Sequence, residues 1–258
     1  MDFSEYRPYQ AGDDLRSLDW KVYARSDRLY TKLYVPEQEE TVYFLLDTSR
    51  SMQEKWPALQ TLVMGLSHVI LNQGDRVALA PLANSVQALS QGLPPTRGRS
   101  HLAHISNFLK KTQPDGFSSL SSAFEEQARR IKTRSHLIIL SDFLQPDAGL
   151  PGLSQLRYRK HRLSLIQLLS PGELQPLQDF APGEWELFDP ELPKEDSESL
   201  RVELGHRSFQ RYQNALQEHI TSISEFAKKS GAVFIQASSA FDPLHFFSED
   251  LRKAGLLY

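Results

Sequence analysis

Short apolar runs alternate with helix-like segments over most of the chain. Runs typical of buried strands occupy residues 41–46, 76–80, 136–141, 162–168 and 232–235. Helices are predicted over residues 56–70, 101–111, 120–132 and 209–226, where apolar residues recur at helical spacing. Strands that alternate with helices predict an α/β fold with a doubly wound, mostly parallel, Rossmann-like sheet flanked by helices. An antiparallel edge strand is predicted at 86–89, followed by a Pro/Gly-rich loop at 92–98.

Residues 1–40 differ from the rest of the chain in composition and pattern: they are rich in polar, aromatic and charged residues and show weak hydrophobic periodicity. They predict an N-terminal arm that packs on a main domain of residues 41–258. Alternating residues at 19–23 and 29–35 indicate short exposed strands in this arm. Arginine forks commonly hold carboxylates, so the arm's arginines are expected to pair internally: Arg16 and Arg25 with Asp13, Asp14 or Asp19.

A second irregular segment lies in the main domain. Residues 171–206 interrupt the strand–helix alternation and predict an insertion, with short strands near 185–188 and 200–204.

Composition narrows the classes of function. The chain has 258 residues, a formal net charge of -3 and no cysteine, which excludes disulfides, cysteine-ligated zinc and thiol catalysis. A weakly acidic balance does not favour nucleic acid or an anionic membrane as partner. No apolar run approaches the roughly 20 residues of a membrane span, and the first residues do not resemble a signal peptide. These features predict a cytoplasmic protein.

Two of the apolar strands end in an acid, Asp47 and Asp142, at the sheet edge where ligands of open α/β sheets bind. The hydroxyls of Ser49 and Ser51 follow Asp47 at a spacing of two. Hydroxyl and carboxylate oxygens are hard ligands that suit Mg²⁺, with Mn²⁺ or Ca²⁺ as alternatives. A cation would also relieve repulsion between neighbouring carboxylates. The pattern predicts a divalent metal site with one coordination position left open.

The Asp-x-Ser-x-Ser loop after a buried strand resembles the metal-ion-dependent adhesion site of von Willebrand factor A domains. In that resemblance Asp47, Ser49 and Ser51 are the first element and Asp142 is the third. The second element is usually a Thr, and Ser118 stands in its place, with Ser119 as the alternative. The resemblance implies direct ligation by the hydroxyls, carboxylates bound directly or through water, and a partner's carboxylate at the open position.

A second resemblance extends into the arm. The segments Tyr6-Arg7-Pro8-Tyr9, Gly12-Asp13-Asp14-Leu15-Arg16, Leu18-Asp19-Trp20-Lys21 and Phe188-Asp189-Pro190 are similar to those of domain-of-unknown-function family 58. Members of that family occur beside MoxR-type AAA+ ATPases. The resemblance implies a non-enzymatic adaptor or co-chaperone for such an ATPase, by association rather than by chemistry.

Three alternatives stay open at this point. Asp47 and its serines could cap the following helix, because Asp and Ser are favoured caps. The chain could also be a metal-free interaction scaffold. A metal-dependent phosphohydrolase of the haloacid dehalogenase type likewise has an Asp at a strand end, but it needs a second acid where Ser49 stands, and serine cannot do that proton transfer. Phosphate-binding and nucleophile-elbow motifs are absent from the sequence, so no catalytic residue is predicted.

Overall fold

The computed structural model describes residues 2–35, 39–82, 92–115, 119–176, 183–187 and 200–256. Contacts within the chain divide it into two compact units, Met1–Glu39 and Glu40–Tyr258.

The described part of the N-terminal unit contains an antiparallel strand pair, a 3₁₀ helix at Leu15–Ser17 and one α-helix. Strand β1 (Asp2–Pro8) pairs with β2 (Tyr30–Val35), which confirms the strand predicted at 29–35. The strand predicted at 19–23 is wrong, because helix α1 (Trp20–Ser26) occupies that segment. Asp19 explains the difference. Its carboxylate accepts hydrogen bonds from the backbone amides of Lys21 and Val22, at 2.9 and 3.2 Å, and so starts the helix.

Asp13 and Asp19 form ion pairs with residues other than Arg16 and Arg25. Asp19 also accepts from the Tyr6 hydroxyl at 2.8 Å and pairs with Lys32 at 3.0 Å, and these contacts hold its pKa well below the usual range. Asp13 pairs with Arg7 at 2.5 Å. Within the described residues neither Arg16 nor Arg25 has an ion-pair partner, so the pairing expected for them is wrong.

The main unit is built on a six-stranded sheet of β3 (Thr41–Asp47), β4 (Arg76–Leu82), β5 (Leu93–Thr96), β6 (His136–Ser141), β7 (Arg162–Leu169) and β10 (Val233–Ser238). The spatial order is β10-β7-β6-β3-β4-β5, and only β5 runs antiparallel. Numbered by chain order within the sheet, this is the doubly wound order 3-2-1-4-5-6. The predicted α/β fold is therefore confirmed, and the order of the strands reverses between β3 and β6.

The edge of the sheet differs from the prediction. The segment predicted as a loop at 92–98 contains strand β5, which pairs with β4 through Val77 and Thr96 and through Leu79 and Leu93. Its two prolines are tolerated because an edge strand needs only one side of its backbone for pairing. The edge strand predicted at 86–89 lies outside the described residues.

Helices cover both faces of the sheet: α2 (Trp56–Asn72), α3 (His101–Lys111), α4 (Leu120–Arg130), α5 (Leu150–Tyr158), α6 (Pro171–Leu174) and α7 (His206–Ser230). Short helical turns follow at Pro243–His245, Phe246–Asp250 and Leu251–Lys253. In the predicted insertion, β8 (Gly183–Leu187) and β9 (Leu200–Leu204) form a separate antiparallel pair. No helix in the described ranges is both long and apolar enough to cross a bilayer.

Two apolar clusters, one on each face of the sheet, form the core. Phe44 and Leu46 of β3 pack with α2, α3 and the C-terminal turns. Leu45 points to the opposite face and packs with α4, α5 and α7. Because β6 is buried along its whole length, the sheet is covered on both sides and its carboxyl edge is held rigidly.

Helix α5 was not predicted, since Pro151 and Gly152 obscure its pattern. Gly152 packs directly against α4: a Cβ there would clash with the backbone of Ser121 and with Phe124. Tertiary packing thus favours a helix where local propensity does not.

We expect Gly152→Ala to lower the free energy of unfolding by about 1–3 kcal/mol, because the two helices must separate to admit a methyl group. Alanine would otherwise stabilise a helix position. Ser154→Ala, at an exposed position of the same helix, is the control and should leave stability within about 0.5 kcal/mol. Equilibrium unfolding in urea measures both, and equal stability of the two variants would contradict the packing argument.

Candidate metal-binding site at the carboxyl edge of the sheet

The loop after β3 is fixed by the strands on either side of it. Asp47, the last residue of β3, is buried, with 1% of its surface exposed. One oxygen of its carboxylate accepts from the amide of Ser49 at 3.0 Å, and the other accepts from the hydroxyl of Ser141 at 2.5 Å. Thr48 donates to the carbonyl of Leu82 at 3.0 Å. These bonds tie the loop to β6 and β4, so Asp47 has a single defined position.

The hydroxyls of the loop lie close together and do not cap the helix that follows. Ser49 Oγ and Ser51 Oγ are 3.0 Å apart. Helix α2 begins at Trp56 after Lys55, and no side chain caps it. The short 3₁₀ turn Arg50–Met52 also lacks a side-chain cap. The helix-cap interpretation of this loop is therefore wrong.

Asp142 follows β6 directly and contacts a buried lysine. Its Oδ2 lies 2.7 Å from Lys55 Nζ, and its Oδ1 accepts from the amide of Leu144 at 3.1 Å. Lys55 Nζ also lies 2.7 Å from Oε1 of Glu173 in helix α6. With only 1% of its side chain exposed, Lys55 depends on these two carboxylates to hold its charge inside the protein.

Three acidic side chains and one buried lysine lie at this edge of the sheet. Lys55 pairs with the carboxylates of Asp142 and Glu173, and Asp47 is the third, buried acidic group. Burial, followed by the charge of Asp142, raises the pKa of Asp47 to about 6. Burial acts to lower the pKa of Lys55, but the charges of Asp142 and Glu173 outweigh it and the pKa is raised. The charged form of Asp47 is therefore disfavoured at this position.

The backbone beside Asp142 is strained. Phe143 is fully buried and has a φ of 53°, in the left-handed region that bulky residues rarely adopt. Its amide donates to Ser141 Oγ at 2.9 Å, and its carbonyl lies 2.6 Å from Nε2 of His219 in α7. Strain of this kind is held by surrounding contacts and clusters at functional sites. Here it turns the chain sharply after Asp142.

Four of the five predicted ligands come together at this edge. Asp47, Ser49 and Ser51 share one loop. Asp142 follows the neighbouring parallel strand β6, and its charge raises the pKa of Asp47. Ser118 lies outside the described residues, whereas the hydroxyl of the alternative, Ser119, caps helix α4.

The donor chemistry fits a small divalent cation, because hydroxyl and carboxylate oxygens are the hard ligands that such an ion prefers. No three His, Cys, Asp or Glu side chains in the described ranges form a metal cluster by themselves. A site here would therefore need the serine hydroxyls.

Sequence reasoning missed Lys55, Glu173 and Ser141. The pattern Ser170-x-x-Glu173 is a sequence signal for a capping box, and the structure contains that capping box. The start of helix α6 could therefore have been predicted from the sequence. Nothing in the sequence indicates that Lys55 is buried, because its carboxylate partners lie 87 and 118 residues away.

A groove of about 490 Å³ adjoins the site on the side of Glu173. Its walls are formed by residues of α6, α7 and β9 and by the loop before α2: Glu54, Ser170, Pro171, Gly172, Glu173, Pro176, Leu204, Ser208, Phe209 and Tyr212. The Tyr212 hydroxyl donates to the carbonyl of Glu173 at 3.0 Å, which links the groove to the ion-paired carboxylate.

The fold and the site define an α/β protein with an oxygen-rich loop at the switch point of its sheet. The family described as protein of unknown function DUF58 matches residues 5–221, and the chain belongs to that family.

Two proteins described as uncharacterized are similar to this chain. Rv1480 of Mycobacterium tuberculosis is 26% identical over 179 residues, which cover 66% of this chain and 56% of the relative. YeaD of Bacillus subtilis is 25% identical over 128 residues, covering 50% of this chain and 31% of the relative. The matched region is thus less than two thirds of the length of either relative.

Solved structures that align with this chain include a von Willebrand factor type A protein from Catenulispora acidiphila. The alignment has a TM-score of 0.43 and 12% sequence identity, and it covers 87% of this chain and 42% of the other. The pilus adhesin SpaC from Lactobacillus rhamnosus GG has a TM-score of 0.42 at 11% identity, with coverage of 52% and 24%.

Without a metal, Asp47→Asn should change how stability depends on pH. Between pH of about 4 and 6 the folded protein keeps a proton on Asp47 that the unfolded chain has lost, so wild-type stability falls relative to the variant as the pH rises. The full difference between about 6 and the ordinary 3.8 corresponds to about 3 kcal/mol.

Urea unfolding in EDTA at several pH values from 4 to 7.5 measures this effect. Any constant cost of exchanging a carboxylate for an amide cancels, because only the pH dependence of the wild-type-minus-variant difference is compared. A difference that does not change with pH would contradict the raised pKa.

Proposed function

We propose that this chain is a non-enzymatic protein-binding module that holds a divalent cation, Mg²⁺ or else Mn²⁺ or Ca²⁺, and uses it to bind a carboxylate of a partner protein. The observation that carries the proposal is the meeting of Asp47 and Asp142, both buried, with two serine hydroxyls at the switch point of the sheet. A divalent cation between the two carboxylates, of which Asp142 already pairs with Lys55, would relieve their repulsion.

The hydroxyls of Ser49 and Ser51 and the carboxylates of Asp47 and Asp142 would hold the ion, with Ser118 added by resemblance to von Willebrand factor A domains. The bound ion would supply positive charge and an open coordination position for an acidic side chain. Lys55 pairs with Asp142, and Ser141 orients Asp47 through its hydroxyl.

The apolar groove beside Glu173 gives such a partner additional surface to contact. Its walls include the apolar side chains of Phe209 and Leu204 and the ring of Tyr212, which could contact an apolar residue next to the partner's acidic residue. Resemblance to the family suggests a MoxR-type AAA+ ATPase as the partner, with this chain as its adaptor or co-chaperone. That identification rests on association and has to be tested by binding.

Asp47→Asn should abolish the response to metal while leaving the fold intact. We expect Mg²⁺ at about a hundred times its Kd to raise the Tm of the wild type by roughly 5 °C and that of the variant not at all. Capture of a purified MoxR-type ATPase should require Mg²⁺, fail in EDTA and fail with the variant. Thermal unfolding and affinity capture measure the two effects.

Asp75→Asn is the matched control, since Asp75 precedes β4 at the opposite edge and can still accept from the amide of Glu40 as an amide side chain. It should behave as the wild type. Equal capture in Mg²⁺ and in EDTA would indicate a metal-free scaffold instead. Turnover of phosphate monoesters that disappears in Asp47→Asn would show a hydrolase and overturn the non-enzymatic proposal.

A further inference from the structure

Lys55 places a positive charge of the chain itself beside a predicted metal ligand. Its ammonium lies 2.7 Å from Asp142 and 2.7 Å from Glu173, and 1% of the side chain is exposed. A divalent cation that approaches Asp142 therefore meets a carboxylate that already has a cationic partner. Two cations that share one buried carboxylate repel each other strongly.

We propose that Lys55 is a tethered competitor of the divalent cation for Asp142, and that Glu173 is the second acceptor that retains the ammonium when the ion takes Asp142. This inference rests on the proposed function and concerns the regulation of the same site. Lys55 would lower the affinity of the chain for the ion when no ligand is bound at the open coordination position.

Asp142 does not depend on Lys55 for its position. Its Oδ1 accepts from the amide of Leu144, and its main-chain carbonyl accepts from Gln167 Nε2 at 2.9 Å. The carboxylate therefore stays in place if the ammonium leaves one of its oxygens.

Glu173 is equally well fixed as the alternative acceptor. Its Oε2 accepts from the amide of Ser170 at 2.6 Å in the capping box of α6, which leaves Oε1 for Lys55. Its side chain is 25% exposed, against 4% for Asp142, so the Lys55–Glu173 pair keeps partial access to water. A Lys–Glu pair that water can reach costs less to maintain than a fully buried one.

Two substitutions should move the affinity for Mg²⁺ and Mn²⁺ in opposite directions. Lys55→Met removes the competing charge, and the Kd should fall at least about tenfold. Glu173→Gln leaves the lysine with Asp142 as its only charged partner among these groups, and the Kd should rise at least about threefold. The Glu173 variant keeps the Lys55–Asp142 pair, so its fold is not at risk.

Each variant has a control of the same chemical change. Lys228→Met removes an exposed lysine at the end of α7, near the start of β10 and the opposite edge of the sheet. Glu54→Gln removes a carboxylate that lines the same groove but, within the described residues, forms no ion pair with Lys55. The measurement is calorimetric titration of the whole chain with MgCl₂ and with MnCl₂, together with the Tm in each salt.

The proposal stands if Lys55→Met binds the ions more tightly than Lys228→Met and Glu173→Gln binds them more weakly than Glu54→Gln. It is overturned if Lys55→Met binds no more tightly than its control, or if the two glutamate variants bind equally. If Lys55→Met does not fold, the glutamate comparison decides alone.

The wild type separates this inference from the proposed function. Metal binding by the wild type that Lys55→Met leaves unchanged overturns the competitor and keeps the proposed function. Binding that appears only in Lys55→Met supports the competitor and contradicts metal use by the wild type. Absence of binding in both proteins overturns both proposals.

Discussion

The site depends on one constraint: two carboxylates, Asp47 and Asp142, are buried near each other at the point where the strand order of the sheet reverses. Parallel strands β3 and β6 end at the same edge, so an acid at each end brings like charges together. Burial makes that repulsion expensive, because water no longer screens it. The surrounding contacts, among them the Ser141 hydroxyl and the Lys55 ammonium, reduce this cost without removing it.

The three-layer fold is stable enough to tolerate the unfavourable burial of these two carboxylates. Helices cover both faces of the sheet, and the two apolar clusters contain every residue of β3 from Phe44 to Leu46. Hydrophobic burial on this scale stabilises the fold by far more than one misfit carboxylate destabilises it. The same rigidity holds Phe143 in a left-handed conformation and fixes the direction in which Asp142 leaves its strand.

Sequence reasoning found the parts of the site that arise from local patterns and from the parallel sheet. Apolar runs ending in Asp47 and Asp142 were enough to predict that these acids meet, because strand ends in such a sheet share one edge. It failed where tertiary contacts decide. Helix α5 forms against α4 despite Pro151 and Gly152, and the arm contains a helix where alternation indicated a strand, because Asp19 caps it. The burial of Lys55 depends on partners far away in sequence.

A lysine ammonium of the chain and a free divalent cation can each reduce the repulsion between the acidic groups at this edge, but with different consequences. Lys55 belongs to the chain itself and pairs with Asp142 and Glu173, while Asp47 is a further buried acidic group at the same edge. In the proposed function a divalent cation would be drawn to these acidic groups, and Lys55 would at the same time repel it. A partner's carboxylate bound to that ion would shift the balance, and by linkage the partner would then tighten the ion as much as the ion tightens the partner. Such a site would bind its metal firmly only when the partner is in place.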